Sequence, residues 1–232
     1  MTRFFFLNLF LCIYTPAFYA QIKLILTSAL VSAHYEYRKK QYVSSFEILR
    51  KYGFNANNIY VVEAIAKQAP TFLNDYSNNV FYSTVNNPHI KNHGSNEAKT
   101  LLEALYYFNF DPEDMIIKHT GRHHFMSDSF LKTVQENEIQ YDAIVRAGVH
   151  GPGVIASICF AMKNKYLQEM LENADYEALD AFRLTLETVV TFFVQKMVKK
   201  GDFKVLYVDT LDICADTTGS TTAPGATMTI YF

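Results

Sequence analysis

The chain has 232 residues and a formal net charge of −2, from 21 Lys and Arg against 23 Asp and Glu. Half of the residues are hydrophobic and 19% are charged, a balance that argues against a mainly disordered chain. The near-neutral charge also disfavours a protein held to nucleic acid by its bulk charge. The length favours one domain of substantial size over two.

Residues 1–20 have the layout of a targeting segment. Arg3 precedes an apolar run over residues 4–14, and small residues follow it. This order is typical of a secretory signal peptide, and the run is shorter than the roughly 20 residues of a membrane-spanning helix. We expect a signal peptide or an uncleaved signal anchor; the alternative is an apolar extension that packs on the domain. A signal would place the protein in the secretory pathway or at a membrane, and otherwise we expect it in the cytoplasm.

Apolar β-rich runs alternate with segments of helical periodicity, which predicts one α/β domain over residues 21–216 and a Thr- and Gly-rich tail over 217–232. The predicted strands are 22–30, 59–65, 80–85, 115–120, 141–147, 154–160 and 203–208. The predicted helices are 37–52, 97–108, 129–136, 163–171 and 176–199. We expect a mainly parallel sheet, which binds ligands at the carboxyl ends of its strands.

The most informative polar residues end the predicted strand at 115–120. Lys118, Thr120 and Arg122 are expected to point the same way, because side chains alternate along an extended chain. Two cations, a hydroxyl and the neighbouring Gly121 predict a cradle for a diphosphate or a carboxylate. The alternative is a basic strand end that pairs with acidic neighbours.

A second polar segment, residues 92–97, precedes a predicted helix and contains Asn92, Gly94 and Glu97. Backbone N–H groups at the start of a helix carry a positive partial charge suited to phosphate. The alternative is that Ser95 or Asn96 merely caps the helix.

His119, His123 and His124 lie close together in the sequence, which raises the hypothesis of a metal-dependent hydrolase. Because His119 and His124 are expected on opposite faces of an extended strand, the spacing argues against a shared metal ion. We therefore assign no metal ligand.

The carboxylates that could act as a general base are Glu63, Asp142, Glu187, Asp209 and Asp212, of which Glu187 lies next to the apolar stripe of the predicted helix at 176–199. Arg183 precedes it by one helical turn. The alternative is therefore an ordinary surface ion pair between these two side chains.

The order of the segments NHGSNEAKTLLEAL, IIKHTGRH and GVIASICFAMKNKYLQEM resembles that of GT-A-type glycosyltransferases. Within these, it is similar to small polysaccharide-type members with a Lys-x-Thr-Gly-Arg-Tyr-like turn, and the resemblance covers residues 22–213. It implies a single Rossmann-like GT-A domain with a mostly parallel central sheet flanked by helices. It also implies transfer of a sugar from a nucleotide-sugar donor to a glycan or glycolipid acceptor, as in polysaccharide biosynthesis, with no nucleic-acid partner.

The resemblance implies roles for individual residues. The nucleotide or donor would be bound by Thr27, Ser28, Glu63, Asn92, Gly94, Glu97, Thr120 and Gly121. The catalytic candidates are Lys118 and Arg122, which would stabilise the leaving diphosphate, and Glu187 as the base. Residues 151–157 would line the donor-sugar and acceptor side.

The chain departs from the family in one respect, because it contains no Asp-x-Asp pair to hold a divalent metal against the diphosphate. Residues 119–122 stand where that pair is expected. We therefore expect no cofactor, with Lys118 and Arg122 supplying the positive charge, although magnesium or manganese stays open. The missing pair also favours an alternative: a nonenzymatic nucleotide- or glycan-binding module on a transferase scaffold.

Overall fold

The computed structural model describes residues 22–30, 34–66, 70–84, 92–148 and 151–216, together with the backbone of residues 229–231. The segment 1–20 lies outside the described residues, as does most of the tail, so both remain predictions. No helix within the described ranges is long and apolar enough to cross a membrane.

The described residues form ten strands, six helices and a short 3₁₀ helix at Phe72–Asp75. The first five strands are β1 (Ile22–Ser28), β2 (Ile59–Glu63), β3 (Asn79–Tyr82), β4 (Met115–Thr120) and β5 (His124–Phe125). The others are β6 (Ala143–Val145), β7 (Cys159–Lys163), β8 (Val205–Tyr207), β9 (Ile213–Asp216) and β10 (Thr229–Tyr231). The helices are α1 (Tyr35–Lys51), α2 (His93–Phe108), α3 (Ser129–Asn137), α4 (Asn164–Glu172), α5 (Tyr176–Phe182) and α6 (Leu186–Lys200).

Seven strands form the central sheet in the order β3-β2-β1-β4-β7-β6-β8. Four neighbouring pairs are parallel, and β7 runs antiparallel to both β4 and β6. The predicted α/β class with a mostly parallel sheet flanked by helices is confirmed. A second sheet, β10-β9-β5, was not predicted from the sequence.

Both faces of the central sheet are covered by apolar side chains. On one face α1 buries Tyr42, Phe46 and Leu49, whose helical spacing in the sequence predicts such an apolar stripe. On the other face α2, α4 and α6 pack with residues such as Leu101 and Val190. Each fully buried side chain of this size stabilises the fold by roughly 1.5–3 kcal/mol.

The single helix predicted at 176–199 is wrong, because the chain breaks it into α5 and α6. Arg183 ends α5 with a left-handed backbone, φ +52°, and α6 begins at Leu186. Arg183 and Glu187 therefore lie in different helical segments, and the ion pair considered for them does not form.

The strand predicted at 154–160 is displaced, since β7 begins only at Cys159. Ile155 instead makes an isolated bridge to Ala147, and its N–H donates to Thr191 Oγ1 at 2.9 Å. The apolar run at 154–156 therefore packs towards α6 and does not extend the sheet.

Asn92, and not Ser95 or Asn96, is the N-cap of α2, which begins four residues before the predicted start. Its Oδ1 accepts from the N–H of Gly94 at 2.9 Å and of Ser95 at 3.4 Å. Its Nδ2 donates to the carbonyl oxygens of Leu179 and Leu184, the latter at 2.8 Å. The cap therefore also ties α2 to the turn between α5 and α6.

Gly94 lies against the same turn. A Cβ atom at this position would lie 2.9 Å from the backbone nitrogen of Leu186 and 3.0 Å from Cα of Thr185. Such a contact would force the backbone to move. Glycine at this position therefore allows α2 to pack closely against the start of α6.

We predict that Gly94→Ala destabilises the protein. A glycine-to-alanine change inside a helix ordinarily stabilises by about 0.8–1 kcal/mol, but overpacking against backbone costs about 1–3 kcal/mol. Urea denaturation measures the change in the free energy of unfolding, and its sign shows whether overpacking outweighs the gain in helix propensity. A stabilised Gly94→Ala protein would contradict the close approach.

Candidate functional site

The polar residues of interest meet at the carboxyl edge of the central sheet, where β1, β2 and β4 end. Because β7 is antiparallel, its start also lies at this edge, paired with the end of β4 at His119. The N-terminus of α6 reaches the same edge, since Glu187 contacts Ser157 just before β7. A connected set forms there, which we call the carboxyl-edge cluster: Thr27, Glu97, Lys118, Ser157 and Glu187.

Lys118 lies at the centre of the carboxyl-edge cluster and is fully buried. Its Nζ is 2.7 Å from Glu97 Oε1, and it donates to the carbonyl oxygen of Ser157 at 2.7 Å and to Thr120 Oγ1 at 3.0 Å. An ammonium group has three donors, so all of them are in use. The predicted common orientation of Lys118 and Thr120 is confirmed. The expectation that Lys118 presents its charge to a ligand is corrected, because its contacts point into the protein.

Glu187 lies in the first turn of α6 and is half-buried. Ser157 Oγ donates to its Oε1 at 2.6 Å. Burial alone would raise the pKa of Glu187, but hydrogen bonds from Ser157 and Thr185, with the charge of Lys118, lower it below the ordinary glutamate value. The carboxylate therefore stays ionised at neutral pH.

The other members of the predicted diphosphate cradle lie at the last residue of β4, Thr120, and in the turn that follows, at Gly121 and Arg122. Thr120 and Arg122 are partly exposed, and the Nε–H of Arg122 donates to His123 Nε2 at 3.2 Å. Gly121 is buried, and a Cβ atom there would lie 3.2 Å from Leu26 Cβ and from the carbonyl oxygen of Thr27. Gly121 therefore lets the turn pack on β1, which is a different role from the predicted approach to a ligand.

Glu63 and Ser28, predicted to contact the nucleotide, lie at the ends of β2 and β1. Glu63 is fully buried, and its carboxylate accepts hydrogen bonds from Ser28 Oγ and from three backbone N–H groups. These N–H groups belong to Leu30, Ile65 and Ala66. Glu63 therefore orders the two loops that leave the sheet here, and both of its oxygens already have partners in the chain.

Asn92 and Gly94 were also predicted to shape the nucleotide pocket. Their contacts are with the helix start and with the α5–α6 turn, as described above. The first N–H groups of α2 are taken by Asn92, so a phosphate site at this helix start is not supported. Glu97, further along α2, does reach the edge through Thr27 and Lys118.

The two histidines flanking the turn are buried and neutral. His119 Nε2 donates to the carbonyl oxygen of His123 at 2.8 Å, and its ring stacks on Phe125. Burial lowers the pKa of His119 to about 3, and burial with the charge of Arg122 lowers that of His123 well below its ordinary value. The ring nitrogens of His119 and His123 are not arranged as ligands of a shared metal ion.

The residues at this edge do not fit a divalent cation. Residues 119–122, where the family resemblance places a metal-binding pair, include a buried His119 whose Nε2 is in use and the partly exposed Arg122, and the Lys118 ammonium directly precedes them. Among the described residues, no group of three or more His, Cys, Asp or Glu side chains could hold a metal ion.

A cavity of about 320 Å³ lies elsewhere, between α4, α5 and α6. Its apolar lining comes from Met170, Leu179, Leu184, Val189, Phe192 and Phe193. No member of the carboxyl-edge cluster lines it, so it is separate from the site described here.

Ser157 acquires a specific role only in the structure, because sequence analysis named it merely within residues 151–157. It links Lys118 to Glu187 across contacts that span 39 and 30 residues. A serine in an irregular segment carries no local pattern, so no sequence signal could have identified this link.

No protein-family model matches the chain, and no curated protein matches it. Among solved structures, the chain is similar to a protein from Desulfovibrio desulfuricans described as a nucleotide-diphospho-sugar transferase (TM-score 0.49, 9% identity, 81% of this chain and 79% of that chain). It is similar to 4-diphosphocytidyl-2C-methyl-D-erythritol synthase from Anaerococcus prevotii (TM-score 0.48, 18% identity, 81% and 86%). It is also similar to mouse xyloside xylosyltransferase 1 (TM-score 0.45, 11% identity, 85% and 86%).

We predict that the folded state loses stability as the pH falls below about 6.5, the ordinary histidine value. Between pH 6.5 and about 3 the unfolded chain binds a proton at His119 that the folded chain excludes, so stability rises with pH in this window. His119 contributes up to about 1.4 kcal/mol per pH unit there.

Urea denaturation between pH 7 and pH 4 measures this slope. We expect His119→Gln to reduce it, because glutamine keeps a side-chain N–H and does not titrate, whereas His34→Gln on the partly exposed start of α1 serves as the control. If the free energy of unfolding depends on pH with the same slope in wild type and in His119→Gln, the buried His119 ring does not contribute to the pH dependence of stability.

Proposed function

We propose that this chain is a glycosyltransferase that moves a sugar from a nucleotide-diphosphate donor to a hydroxyl group of a glycan or related acceptor. The observation that supports this proposal is the carboxyl-edge cluster, in which an ionised Glu187 is joined through Ser157 and Lys118 to Glu97. The cluster lies where α/β sheets bind their ligands. The partly exposed Arg122 follows two residues after Thr120 at the same edge.

In the proposed step, the acceptor oxygen bonds to the anomeric carbon of the donor sugar while the bond from that carbon to the diphosphate oxygen breaks. The acceptor proton passes to the Glu187 carboxylate, and the diphosphate leaves with the bonding electron pair. The lowered pKa of Glu187 means that at neutral pH the carboxylate is in the ionised form that a proton acceptor requires. Its negative charge also favours positive charge that develops on the sugar.

Arg122 is the residue that we propose to contact the leaving diphosphate, since a guanidinium matches phosphate oxygens in a bidentate manner. Lys118 is a positioning residue in this proposal, because its donors hold Glu97, Thr120 and the Ser157 carbonyl. With a cation supplied by Arg122, we propose that transfer does not require a divalent metal.

Arg122→Ala is expected to lower turnover by about 10²–10³, the usual loss when a group that stabilises developing negative charge is removed. The measurement is release of nucleoside diphosphate from uridine, guanosine, cytidine and adenosine diphosphate sugars, with water or an added glycan as acceptor. Arg50→Ala is the matched control, because Arg50 is exposed on α1 and stacks on Tyr76.

The same assay is run with EDTA, and wild-type turnover is expected to change little. Unchanged turnover in Arg122→Ala would remove this residue from the proposed mechanism. Loss of wild-type turnover in EDTA that returns with manganese would overturn metal independence.

Glu187→Gln is expected to lower turnover by about 10²–10⁴ while nucleotide binding stays intact, because glutamine can accept from Ser157 but cannot take the acceptor proton. Turnover and calorimetric affinity for the nucleoside diphosphate are measured on the same protein. Glu172→Gln on α4 is the control. Equal turnover in wild type and Glu187→Gln would show that the base is another group.

A second candidate function is a nonenzymatic module that binds a nucleotide or a glycan. The specific observation that favours it is that Lys118 has no donor left for a ligand, in a chain that also lacks Asp-x-Asp. Calorimetry with the four nucleoside diphosphates, followed by the turnover assay, separates the two functions. Tight binding without any turnover supports the module.

A further inference from the structure

Glu97 differs from Lys118 and Thr27 in the carboxyl-edge cluster because it joins buried contacts to a partly exposed surface. Its side chain is 27% exposed, whereas Lys118 is fully buried and Thr27 is buried. A ligand at the carboxyl edge therefore meets Glu97 before it meets the lysine that holds it.

The two oxygens of Glu97 are used unequally. Oε1 accepts from Thr27 Oγ1 at 2.8 Å and lies 2.7 Å from Lys118 Nζ. No donor among the described residues reaches Oε2. A carboxylate has about four acceptor positions, so a rigidly oriented carboxylate retains acceptor capacity at the edge.

Charge decides which ligand suits this oxygen. A phosphate is repelled, because the carboxylate is an anion and only accepts hydrogen bonds. A divalent cation would lie close to the Lys118 ammonium bound to the same carboxylate, and the repulsion offsets the attraction of a single carboxylate. Neutral hydroxyl groups, which donate to a carboxylate without either penalty, are the remaining class.

We propose that Glu97 binds a pair of neighbouring hydroxyl groups on the donor, either those of the nucleotide ribose or those of the transferred sugar. The inference rests on the proposed function and specifies how the donor is recognised. Carboxylates at the carboxyl edge of parallel sheets bind ribose hydroxyls in other nucleotide sites. Lys118 and Thr27 fix the carboxylate before the ligand arrives, which reduces the ordering required on binding.

Calorimetry on the full chain tests the inference. Wild type is titrated with the tightest-binding of uridine, guanosine, cytidine and adenosine diphosphates, with its 2′-deoxy counterpart and with the matching nucleotide sugar. If ribose is the source, we expect the 2′-deoxy compound to bind about tenfold more weakly, the usual effect of losing one hydrogen bond to a charged group.

Glu97→Gln is expected to abolish that preference, because its amide presents a donor in place of Oε2. If the transferred sugar is the source, wild type instead binds the nucleotide sugar more tightly than the bare diphosphate, and Glu97→Gln loses that difference. Glu113→Gln is the matched control and should keep either preference, since Glu113 is a carboxylate paired with Lys163 and Lys165 at the opposite end of β4.

The comparison of ribo and 2′-deoxy compounds on wild type needs no variant, so it stands even if Glu97→Gln folds poorly. Nucleotide binding that is equal in wild type and folded Glu97→Gln for all three compounds overturns this inference and leaves the proposed function in place. Binding of magnesium alone that disappears in Glu97→Gln also overturns it. Absence of any nucleotide binding by wild type overturns the proposed function itself.

Discussion

The buried ammonium of Lys118 is the interaction on which the arrangement of the carboxyl edge depends. It joins three parts of the fold: α2 through Glu97, the segment before β7 through Ser157, and the end of its own strand through Thr120. An ammonium without such partners would cost several kcal/mol to bury. The burial of this lysine therefore depends on all three neighbours staying in place. The charge of Lys118 orders the protein around it and has no donor left for a ligand.

The hydrophobic periodicity of the sequence predicted helices and strands correctly where the local pattern and the tertiary structure agree. The stripe of Tyr42, Phe46 and Leu49 predicted the buried face of α1, and the apolar run before Lys118 predicted β4 within its observed bounds. It failed at Arg183, because the apolar spacing continues across the break and arginine has no particular preference for a left-handed backbone. The turn at the break packs on Gly94 and accepts hydrogen bonds from Asn92, and a local sequence pattern does not record such contacts between distant segments.

In the candidate site, too, contacts between residues close in the sequence were predictable and contacts between distant residues were not. Side-chain alternation placed Lys118 and Thr120 together, but the contact of Thr27 with Glu97 spans 70 residues and has no trace in a local pattern. Asn92 and Gly94 were predicted as binding residues because they precede a helix whose first N–H groups could bind phosphate, and because the family resemblance places them in a nucleotide pocket. The same residue types also serve capping and close helix packing, which is how this fold uses them.

The reversed direction of β7 has a consequence for how such a scaffold could diversify. The irregular residues 151–158 enter the sheet at its carboxyl edge, where the N–H of Thr120 donates to the carbonyl oxygen of Ile158 at 2.8 Å, and the strand pairing of β7 with β4 begins at Cys159. Insertions or deletions in residues 151–153, ahead of the bridge at Ile155, would remodel one wall beside Ser157 and Glu187 without shifting strand register. In the proposed transferase, such changes would alter acceptor preference while the buried lysine and its partners stay unaltered.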